Sequence, residues 1–313
     1  MNNQVDDTAD VVVPFYNRSD FLLRLLDSVA VQSFPVSKIY IVDNGSRLAD
    51  SEKAWHIICQ HLLSEKCCFI STTKTGNANY ARNLGYGLSQ ACYVAYLDSD
   101  DWWENSHLAN SVELLKKTGK SGCYSGAILH QEEGAALHNS IDIEKIGCPF
   151  KFLFGGVFGS AQTSSFVISK RSVGELVKWD ELLKRSQDHD YFLSLQLNTN
   201  GWVYKSLPEY HIDWSRGGTK GKVDSFSILH FYRKWETRFP FSVVDRFFIR
   251  NLLAFELRGM IEDQNFLKRE YINVLSKIPK LLKTILVARP SLFVLGVFMK
   301  IKTRFNGSFF RRQ

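Results

Sequence analysis

Short apolar runs alternate with helical patterns over the first hundred residues of the chain. The runs at residues 11–13, 39–42, 67–70 and 93–97 are rich in β-branched and aromatic side chains, which favour strands. Between them, apolar residues recur at the three- and four-residue spacing of amphipathic helices. Nearly continuous apolar strands separated by helices predict a parallel sheet that is covered on both faces.

The pattern is less regular after this region. Further strands are predicted from the apolar runs at residues 122–129, 164–168 and 202–205. A loop rich in Gly and Phe at residues 150–160 is long enough to be functional or mobile. The later sequence is helical in pattern, so we expect an α/β domain over residues 1–222 and a helical region over residues 223–313.

The composition of the 313-residue chain indicates a folded protein. Hydrophobic residues make up 45% and aromatic residues 13%, which is too rich for a disordered chain. The six cysteines include no CxxC spacing, so we expect reduced thiols. Residues 1–10 are polar and acidic, without the basic start and apolar stretch of a secretory signal, and we expect the protein to remain in the cytoplasm.

The positive charge of the chain is concentrated near its C-terminal end. Residues 271–313 contain nine Lys or Arg and no Asp or Glu, which leaves 30 basic and 32 acidic residues before them, although the whole chain carries +7. A nucleic-acid-binding protein spreads basic residues over its folded body to neutralise phosphates. This distribution argues against nucleic acid as a partner.

Residues 278–313 combine apolar groups with interleaved Lys and Arg. The longest uncharged apolar run, residues 291–299, contains nine residues and spans about 14 Å as a helix, against about 30 Å for a bilayer core. Such a segment suits the surface of an anionic leaflet, where each basic residue adds about 1 kcal/mol. We therefore predict peripheral association with the inner face of the cell membrane. The alternative is a helix whose charges are solvated.

Polar clusters at residues 14–18, 43–46 and 98–101 each follow a predicted strand directly. Since ligands bind beyond the carboxyl ends of strands in open α/β sheets, these clusters are expected to converge on one crevice. Asp98 and Asp100 alternate along the last cluster, and this arrangement suits a hard cation such as Mg²⁺ or Mn²⁺. The cation would stabilise a diphosphate leaving group. The alternative is a solvated acidic turn that caps the next helix.

Four motifs occur in order along the same region. They are VVVPFYN at residues 11–17, IVDNGS at residues 41–46, GNANYARNLG at residues 76–85 and LDSDDW at residues 97–102. Together they resemble glycosyltransferase family 2, and the resemblance extends over roughly residues 10–215. It implies a GT-A fold, which is a Rossmann-like, mostly parallel sheet flanked by helices, and a nucleotide-diphospho-sugar donor. It also implies, as is usual in the family, inversion at the anomeric carbon.

The resemblance places several residues around the nucleotide. Pro14, Tyr16 and Asn17 would lie beside it, and Asp43 would accept a hydrogen bond from the base. Such a carboxylate favours uracil and hence a UDP-sugar, although guanine also offers donors, so Asp43 alone does not fix the donor. Without the resemblance, Asp43 is interpreted as a turn residue in the sequence Asp-Asn-Gly-Ser.

Further residues are implied near the diphosphate. Asp98 would contact the nucleotide and, with Asp100, the metal, while Arg82 would lie near the phosphates or the acidic motif. The competing interpretation of Arg82 is a structural ion pair. His211 follows a predicted strand, where some family members place a residue that reaches the metal or diphosphate. A neutral imidazole suits Mn²⁺, and the alternative is a surface or packing histidine.

An inverting transfer needs a base that takes the proton of the acceptor hydroxyl. The resemblance indicates Asp188, where Gln187 replaces the Glu that usually precedes this Asp in the family. Asp190 is the alternative base. Carboxylates at these positions also favour a helix N-terminus by about 0.3–1 kcal/mol, which is a purely structural explanation.

Trp102 and Trp103 directly follow the acidic cluster. An indole face there suits stacking on an acceptor sugar, but indoles also anchor hydrophobic cores. We expect one of the two to contact the acceptor and the other to pack in the core.

These features predict a metal-dependent inverting glycosyltransferase. It would move a sugar from a nucleotide-diphosphate donor, with a UDP-sugar favoured, to a glycan acceptor. The resemblance to bacterial members suggests a lipid-linked oligosaccharide of surface polysaccharide biosynthesis as that acceptor. One alternative is a nucleotidyltransferase that forms sugar nucleotides, which would be expected to carry a Gly-rich, basic loop in place of residues 14–18. Another is a catalytically inert, membrane-bound protein that binds nucleotide sugars.

Overall fold

The computed structural model describes residues 7–73, 78–132, 134–156, 159–213 and 224–276. The chain divides into two compact units, Met1–Lys222 and Val223–Gln313. Two predictions fall outside the described residues. They concern the membrane-associating segment at residues 278–313 and the start of the third motif, Gly76 and Asn77.

Two sheets form the framework of the first unit. In its described residues the strands are β1 (Ala9–Phe15), β2 (Val36–Asp43), β3 (Cys67–Ser71), β4 (Tyr93–Tyr96), β5 (Trp102–Trp103), β6 (Gly122–Ser125), β7 (Ala127–Gln131), β8 (Gly134–His138), β9 (Val167–Ser169), β10 (Trp202–Lys205) and β11 (Tyr210–Asp213). The central sheet has the order β10-β6-β9-β4-β1-β2-β3, and the smaller sheet has the order β5-β11-β7-β8. In the central sheet β9 is antiparallel to both of its neighbours, whereas the other pairs are parallel.

Helices connect the strands of the first unit. In the same described residues they are α1 (Ser19–Ala30), α2 (Leu48–Gln60), α3 (Asn79–Leu88), α4 (His107–Thr118), α5 (Ile143–Ile146), α6 (Pro149–Phe154), α7 (Lys170–Val173) and α8 (Gln187–Asn198). Two 3₁₀ turns, Ser64–Lys66 and Thr163–Ser165, precede β3 and β9. The prediction of an α/β fold with a mostly parallel central sheet is confirmed.

Strand β1 occupies the middle of the central sheet and is buried along its whole length. Its register brings Phe15 opposite Asp43 of β2 and Val12 opposite Tyr96 of β4. Strands β1, β2 and β4 therefore end at the same edge of the sheet. Helix α3 lies close to β1, because a Cβ at Gly85 would come within 2.5 Å of Val12 Cγ1. The glycine of the third motif thus permits this close approach.

The loop predicted at residues 150–160 is only partly a loop. Residues Pro149–Phe154 form α6, in which Pro149 occupies the start of the helix and the apolar side chains Phe150, Phe152, Leu153 and Phe154 are buried. The prediction of one long loop is therefore wrong over its first half. The short helix buries these apolar side chains, and the removal of apolar surface from water stabilises it.

Two predicted strands also have different limits. The run at residues 122–129 is divided at Gly126 into β6 and β7, which belong to different sheets. A Cβ at Gly126 would lie 2.6 Å from the carbonyl oxygen of His138, so the glycine allows the chain to pass between the sheets. The strand predicted from residue 164 begins at Val167 instead, because the preceding residues form a 3₁₀ turn.

The described part of the second unit is helical, as predicted. Within residues 224–276 it contains α9 (Ser225–Trp235), α10 (Phe241–Leu257) and α11 (Ile261–Ser276). Phe231 of α9 stacks on Phe247 of α10 with ring centroids 5.7 Å apart, and the Tyr271 hydroxyl of α11 donates to Asp245 of α10 at 2.6 Å. None of the helices in the described part of the chain is long and apolar enough to cross a membrane.

A buried ion pair joins the end of β10, the residue before β11 and the start of α4 in the first unit. Lys205 Nζ lies 2.6 Å from Glu209 Oε2 and 3.1 Å from His107 Nδ1. Glu209 Oε1 accepts from Ser106 Oγ at 2.5 Å and from Asn110 Nδ2 at 2.7 Å. Burial lowers the pKa of His107 well below its ordinary value, so its imidazole is neutral and Nδ1 accepts from the ammonium of Lys205.

Glu209→Gln is expected to lower the free energy of unfolding by about 3–5 kcal/mol, because the ammonium of Lys205 would stay buried without its counter-charge. Urea denaturation followed by circular dichroism measures the change. Glu175→Gln is the matched control, since Glu175 and Lys178 form a surface ion pair at 2.8 Å and exposed pairs contribute little. Equal effects of the two substitutions would contradict the importance of the buried pair.

Candidate active site

A cavity of about 400 Å³ opens where β1 and β4 end. Its walls come from all three polar clusters and from the start of α3. The lining residues are Pro14, Phe15, Tyr16, Arg18, Asn44, Ala78, Arg82, Asp98, Ser99 and Asp100. The predicted convergence of the polar clusters on one crevice is confirmed.

Asn17 fastens the loop after β1 to the loop after β2. Its backbone N–H donates to Ser46 Oγ at 2.9 Å, and its Oδ1 accepts from the backbone N–H of Arg47 at 2.8 Å. These bonds hold the backbone at a φ of 52°, a left-handed conformation that Asn tolerates better than most residues. The motif residue thus shapes the loop that carries Pro14 and Tyr16 to the cavity wall.

Asp43 organises the turn after β2. Its Oδ1 accepts from the backbone N–H of Ser46 at 2.9 Å, and its Oδ2 accepts from the hydroxyl of Ser51. The residue is 2% exposed, whereas its neighbour Asn44 reaches the cavity wall. The turn interpretation of the sequence therefore accounts for both carboxylate oxygens. A contact of Asp43 with a nucleotide base would use the remaining lone pairs of the two carboxylate oxygens. This contact stays a prediction.

Arg82 is a buried cation at the centre of the site, with 3% of its surface exposed. Its Nη2 donates to Asp98 Oδ1 at 2.7 Å. Its Nη1 donates to Asn79 Oδ1 at 3.0 Å and to Gln187 Oε1 at 3.2 Å. The guanidinium also lies over the ring of Trp179, 4.5 Å from the centroid. Arg82 therefore forms an ion pair with the acidic motif and borders the cavity at the same time.

The two alternating carboxylates both face the cavity. Asp98 pairs with Arg82, and the Asp100 carboxylate pairs with Arg18. Arg24 Nη2 donates to the backbone carbonyl of Asp100 at 3.0 Å, which fixes the loop between them. The next residue, Asp101, is buried instead, and burial together with the charge of Asp98 raises its pKa well above its ordinary value.

The donor set at this loop fits a hard divalent cation. Mg²⁺ and Mn²⁺ sites that bind phosphorylated substrates use one or two carboxylates and complete their coordination with phosphate oxygens. Asp98 and Asp100 supply such carboxylates at the cavity wall. No group of three His, Cys, Asp or Glu that could hold a metal ion occurs among the residues that the structure describes. A metal here would therefore depend on ligand oxygens as well.

Asp188 lies in the first turn of α8, after Ser186, whose φ is 58°. The hydroxyl of Thr163 donates to its Oδ1. Burial raises the pKa of Asp188, the positive charge of Arg82 lowers it, and the negative charge of Asp98 raises it further. Asp188 is thus close enough to the acidic motif to interact electrostatically with it, and its pKa is shifted toward neutral pH.

Asp190 lies in the same helical turn but is only 1% exposed. Its backbone N–H donates to the carbonyl oxygen of Ser186 at 3.0 Å. Asp188 retains partial exposure, as does its neighbour Gln187. Of the two carboxylates, Asp188 is therefore the more accessible to a substrate.

The side-chain amide of Gln187 uses both its oxygen and its nitrogen in hydrogen bonds. Its Oε1 accepts from Arg82 at 3.2 Å, while its Nε2 donates to the carbonyl oxygen of Leu183 at 2.8 Å. A glutamate here would accept from the arginine but would not donate to the carbonyl. With Gln187 in place of the usual Glu, the start of α8 is still hydrogen-bonded to Arg82, which borders the cavity.

His211 lies in β11 and uses both ring nitrogens in hydrogen bonds. Its Nδ1 is 2.9 Å from His130 Nε2, and its Nε2 is 2.8 Å from Glu104 Oε1. Burial lowers its pKa, although the carboxylate of Glu104 acts in the opposite direction. Ligation of a metal by His211 would require one of these bonds to break, and it stays a prediction.

The two adjacent tryptophans have different surroundings. Trp103 belongs to the hydrophobic core, and its indole N–H donates to the carbonyl oxygen of Ser164 at 2.7 Å. Trp103 is therefore the member of the pair that packs in the core, as expected for one of the two. Trp102 stacks on His211 with centroids 4.9 Å apart, and the guanidinium of Arg24 lies 3.7 Å from its ring centroid. An acceptor contact of Trp102 stays a prediction.

Sequence reasoning missed three residues that shape this site, and it included Arg18 only as a member of the cluster at residues 14–18. Arg18 and Arg24 contact the acidic loop, and Thr163 and Ser164 contact the two acidic motifs from the 3₁₀ turn before β9. For Thr163 and Ser164, the signal in the sequence is the cluster of hydroxyl residues at the start of a predicted strand. Such residues are common in loops, so the pattern does not identify their partners.

Comparisons with known proteins identify related sequences. The sequence model of Glycosyl transferase family 2 matches residues 10–172, more than half of the chain. The amylovoran biosynthesis glycosyltransferase AmsB of Erwinia amylovora is 28% identical over 240 residues, which cover 72% of this chain and 77% of that protein. The UDP-Glc:alpha-D-GlcNAc-diphosphoundecaprenol beta-1,3-glucosyltransferase WfaP of Escherichia coli is 24% identical over 126 residues, which cover 40% of this chain and 48% of that protein.

Solved structures share the fold at low sequence identity. TarS 1-349 of S. aureus in complex with UDP-GlcNAc has a TM-score of 0.57 and 14% identity, over 85% of this chain and 92% of that chain. The mannosyltransferase PcManGT from Pyrobaculum calidifontis in complex with GDP-Man and Mn²⁺ has a TM-score of 0.57 and 13% identity, over 92% of this chain and 80% of that chain. The chain therefore belongs to glycosyl transferase family 2, and it is a glycosyltransferase with a GT-A fold.

Proposed function

We propose that this glycosyltransferase is metal-dependent, inverts the anomeric carbon and takes its sugar from a nucleotide-diphosphate donor, with UDP-sugars favoured. The observation that carries the proposal is the grouping of charges around Arg82, which borders the cavity. Arg82 pairs with Asp98, both act electrostatically on Asp188, and Asp100 borders the same cavity. Carboxylates suited to a metal and a carboxylate suited to proton transfer thus meet at one edge of the sheet.

The preference for uridine rests on Asp43 and on the relatives. A carboxylate at the end of β2 favours a base that offers an N–H donor, such as uracil. WfaP uses UDP-Glc by its name, and the TarS structure contains UDP-GlcNAc, whereas PcManGT binds GDP-Man. Guanosine is therefore the main competitor. Pro14, Tyr16 and Asn17 would border the nucleotide.

Asp98 and Asp100 would hold the metal. When bound, it would act as a Lewis acid toward the diphosphate leaving group. The Mn²⁺ in the PcManGT structure supports a divalent metal, and Mg²⁺ would suit the same oxygen donors. Arg82 and Arg18 add positive charge at the same wall, where it would attract the diphosphate.

Asp188 would act as the general base. The acceptor hydroxyl oxygen would bond to the anomeric carbon as the bond from that carbon to the diphosphate oxygen breaks, and the hydroxyl proton would pass to Asp188. The nucleoside diphosphate would leave with the bonding electron pair, and this single displacement would invert the anomeric configuration. A pKa raised by burial suits a base that works near neutral pH.

The acceptor is proposed to be a glycan, in particular a lipid-linked oligosaccharide of surface polysaccharide biosynthesis. AmsB is named for amylovoran biosynthesis, and the name of WfaP specifies a sugar on diphosphoundecaprenol. Residues 278–313 would hold the enzyme at the inner face of the membrane through their basic and apolar groups. Trp102 would contact the acceptor from the edge of the smaller sheet.

The nucleotide is tested by thermal shift with UDP, GDP, CDP and dTDP, each with and without Mn²⁺. A nucleotide at 100 times its Kd stabilises the native state by about 2.7 kcal/mol, which raises the Tm by several degrees. We expect a metal-dependent shift with UDP. Asp100→Ala is expected to abolish it, whereas Asp20→Ala, at an exposed carboxylate of α1 outside the cavity wall, is expected to keep it. The absence of a shift with every nucleotide and metal would overturn the donor site.

The base is tested by the release of nucleoside diphosphate from the sugar nucleotide that binds. Asp188→Asn is expected to lower the rate by about 10²–10⁴-fold while donor binding is kept, because proton acceptance is lost. Asp190→Asn is expected to lower the Tm more than the rate, since that side chain is buried. An active Asp188→Asn enzyme beside an inactive, folded Asp190→Asn enzyme would reverse the assignment. If the wild-type protein binds the donor but releases no diphosphate, it is an inert binder.

Membrane attachment is tested by sedimentation with vesicles. We expect full-length protein to bind phosphatidylglycerol-containing vesicles and not phosphatidylcholine vesicles, because basic residues near an anionic surface each add about 1 kcal/mol. Replacement of Lys300, Lys302, Arg304, Arg311 and Arg312 by Gln is expected to weaken binding strongly. Equal binding of the two proteins to the anionic vesicles would refute the proposed attachment.

A further inference from the structure

The 3₁₀ turn Thr163–Ser165 lies between the two acidic motifs and is almost completely buried. Thr163 and Ser164 are each 1% exposed, and Ser165 is 0% exposed. A buried hydroxyl needs a hydrogen-bond partner to offset the loss of water. The partners of these hydroxyls therefore indicate what the turn holds in place.

Thr163 gives a side-chain hydrogen bond to the second acidic motif. Its hydroxyl donates to Asp188 Oδ1. The first residue of the turn thus restrains the orientation of that carboxylate. The turn itself is fixed by Phe166, whose backbone N–H donates to the carbonyl oxygen of Thr163 at 2.9 Å.

Ser164 holds the other acidic motif. Its Oγ accepts from the backbone N–H of Asp98 at 3.1 Å and donates to Asp101 Oδ2 at 2.5 Å. Its carbonyl oxygen accepts from the indole N–H of Trp103 at 2.7 Å. Adjacent residues of one short turn therefore hold the loop of Asp98 and the side chain of Asp188 at a fixed separation.

The charges around Asp188 make this restraint necessary. Arg82 of α3 attracts the carboxylate, Asp98 at the end of β4 repels it, and the phenol of Tyr210 in β11 also interacts with it electrostatically. Arg82 is already hydrogen-bonded to Asp98. An unrestrained Asp188 would rotate toward the guanidinium and compete with Asp98 for it. The hydrogen bond from the Thr163 hydroxyl opposes that rotation.

We infer that Thr163 is a positioning residue for Asp188: its hydroxyl holds the carboxylate away from Arg82 and aimed at the acceptor hydroxyl. This inference rests on the proposed role of Asp188 as the base. The β-branched side chain has few rotamers, so the hydroxyl direction is fixed before substrate arrives. A displacement of a reacting group by about 1 Å costs on the order of 10²-fold in rate, which sets the size of the expected effect.

The experiment compares Thr163→Val, which removes the hydroxyl and keeps the shape, with Thr163→Ser, which keeps the hydroxyl. Release of nucleoside diphosphate gives kcat and the donor KM, and a melting curve reports folding. We expect Thr163→Val to lower kcat by about 10–100-fold with the donor KM within about twofold of wild type. Thr163→Ser is expected to stay within about threefold of wild type. Thr163→Ala serves as a second hydroxyl-free variant if the valine protein does not fold.

The pH profile of kcat gives a readout that a purely structural role would not change. A hydrogen bond to the ionised carboxylate lowers its pKa, so loss of the Thr163 hydroxyl should raise the pKa of Asp188 and move the acid limb to higher pH. Ser165→Ala is the matched control in the same turn. The Ser165 hydroxyl donates to the carbonyl oxygen of Gln162 at 2.7 Å and is expected to affect the Tm without moving the acid limb.

The outcomes separate this inference from the proposed base. If Asp188→Asn abolishes turnover but Thr163→Val keeps the wild-type kcat and pH profile, the positioning role is overturned and the base stands. Equal losses in the valine and serine variants also overturn it, since the hydroxyl would not be the cause. If Asp188→Asn remains fully active, the base assignment fails and the inference fails with it.

Discussion

The site depends on one buried cation, the guanidinium of Arg82. A buried guanidinium needs acceptors within the protein, and Nη1 and Nη2 of Arg82 find them in Asp98 after β4, Asn79 in α3 and Gln187 at the start of α8. Gln187 lies 105 positions from Arg82, so one charge joins the region of α3 and β4 to the start of α8. Arg82 therefore links the acidic loop to the start of α8. This link restrains the position of Asp98 relative to Asp188.

The sequence was sufficient to predict the parallel half of the central sheet and the edge at which the site lies. Each of β1 to β4 is a local apolar run, and their parallel order follows from the helices between them. The acidic cluster at Asp98 and Asp100 was predictable for the same reason, because its place after a strand fixes its place at the sheet edge. Asp188 required the family resemblance, since its local pattern is that of any helix start.

Other parts were not predictable because they depend on contacts between distant residues. Strand β5 has two residues, and the antiparallel partner that makes it a strand, β11, follows about a hundred positions later. The hydroxyls of Thr163 and Ser164 meet carboxylates that lie 25 and 63 positions away. Neither hydrophobic periodicity nor turn chemistry carries information about such partners. Trp102 and Trp103 look alike in the sequence, and only the folded chain separates the core residue from its neighbour.

The antiparallel strand β9 has a consequence for how the protein is made. It inserts between β4 and β6, although it follows both in the chain. While the ribosome is producing the intervening segment, β4 has an open edge and the loop at Asp98 lacks its anchor, Ser164. Open strand edges pair readily with other chains. A nascent chain that ends before residue 169 thus exposes the unpaired edge of β4 and lacks the anchored acidic loop. Early termination would therefore yield an aggregating fragment rather than a smaller enzyme.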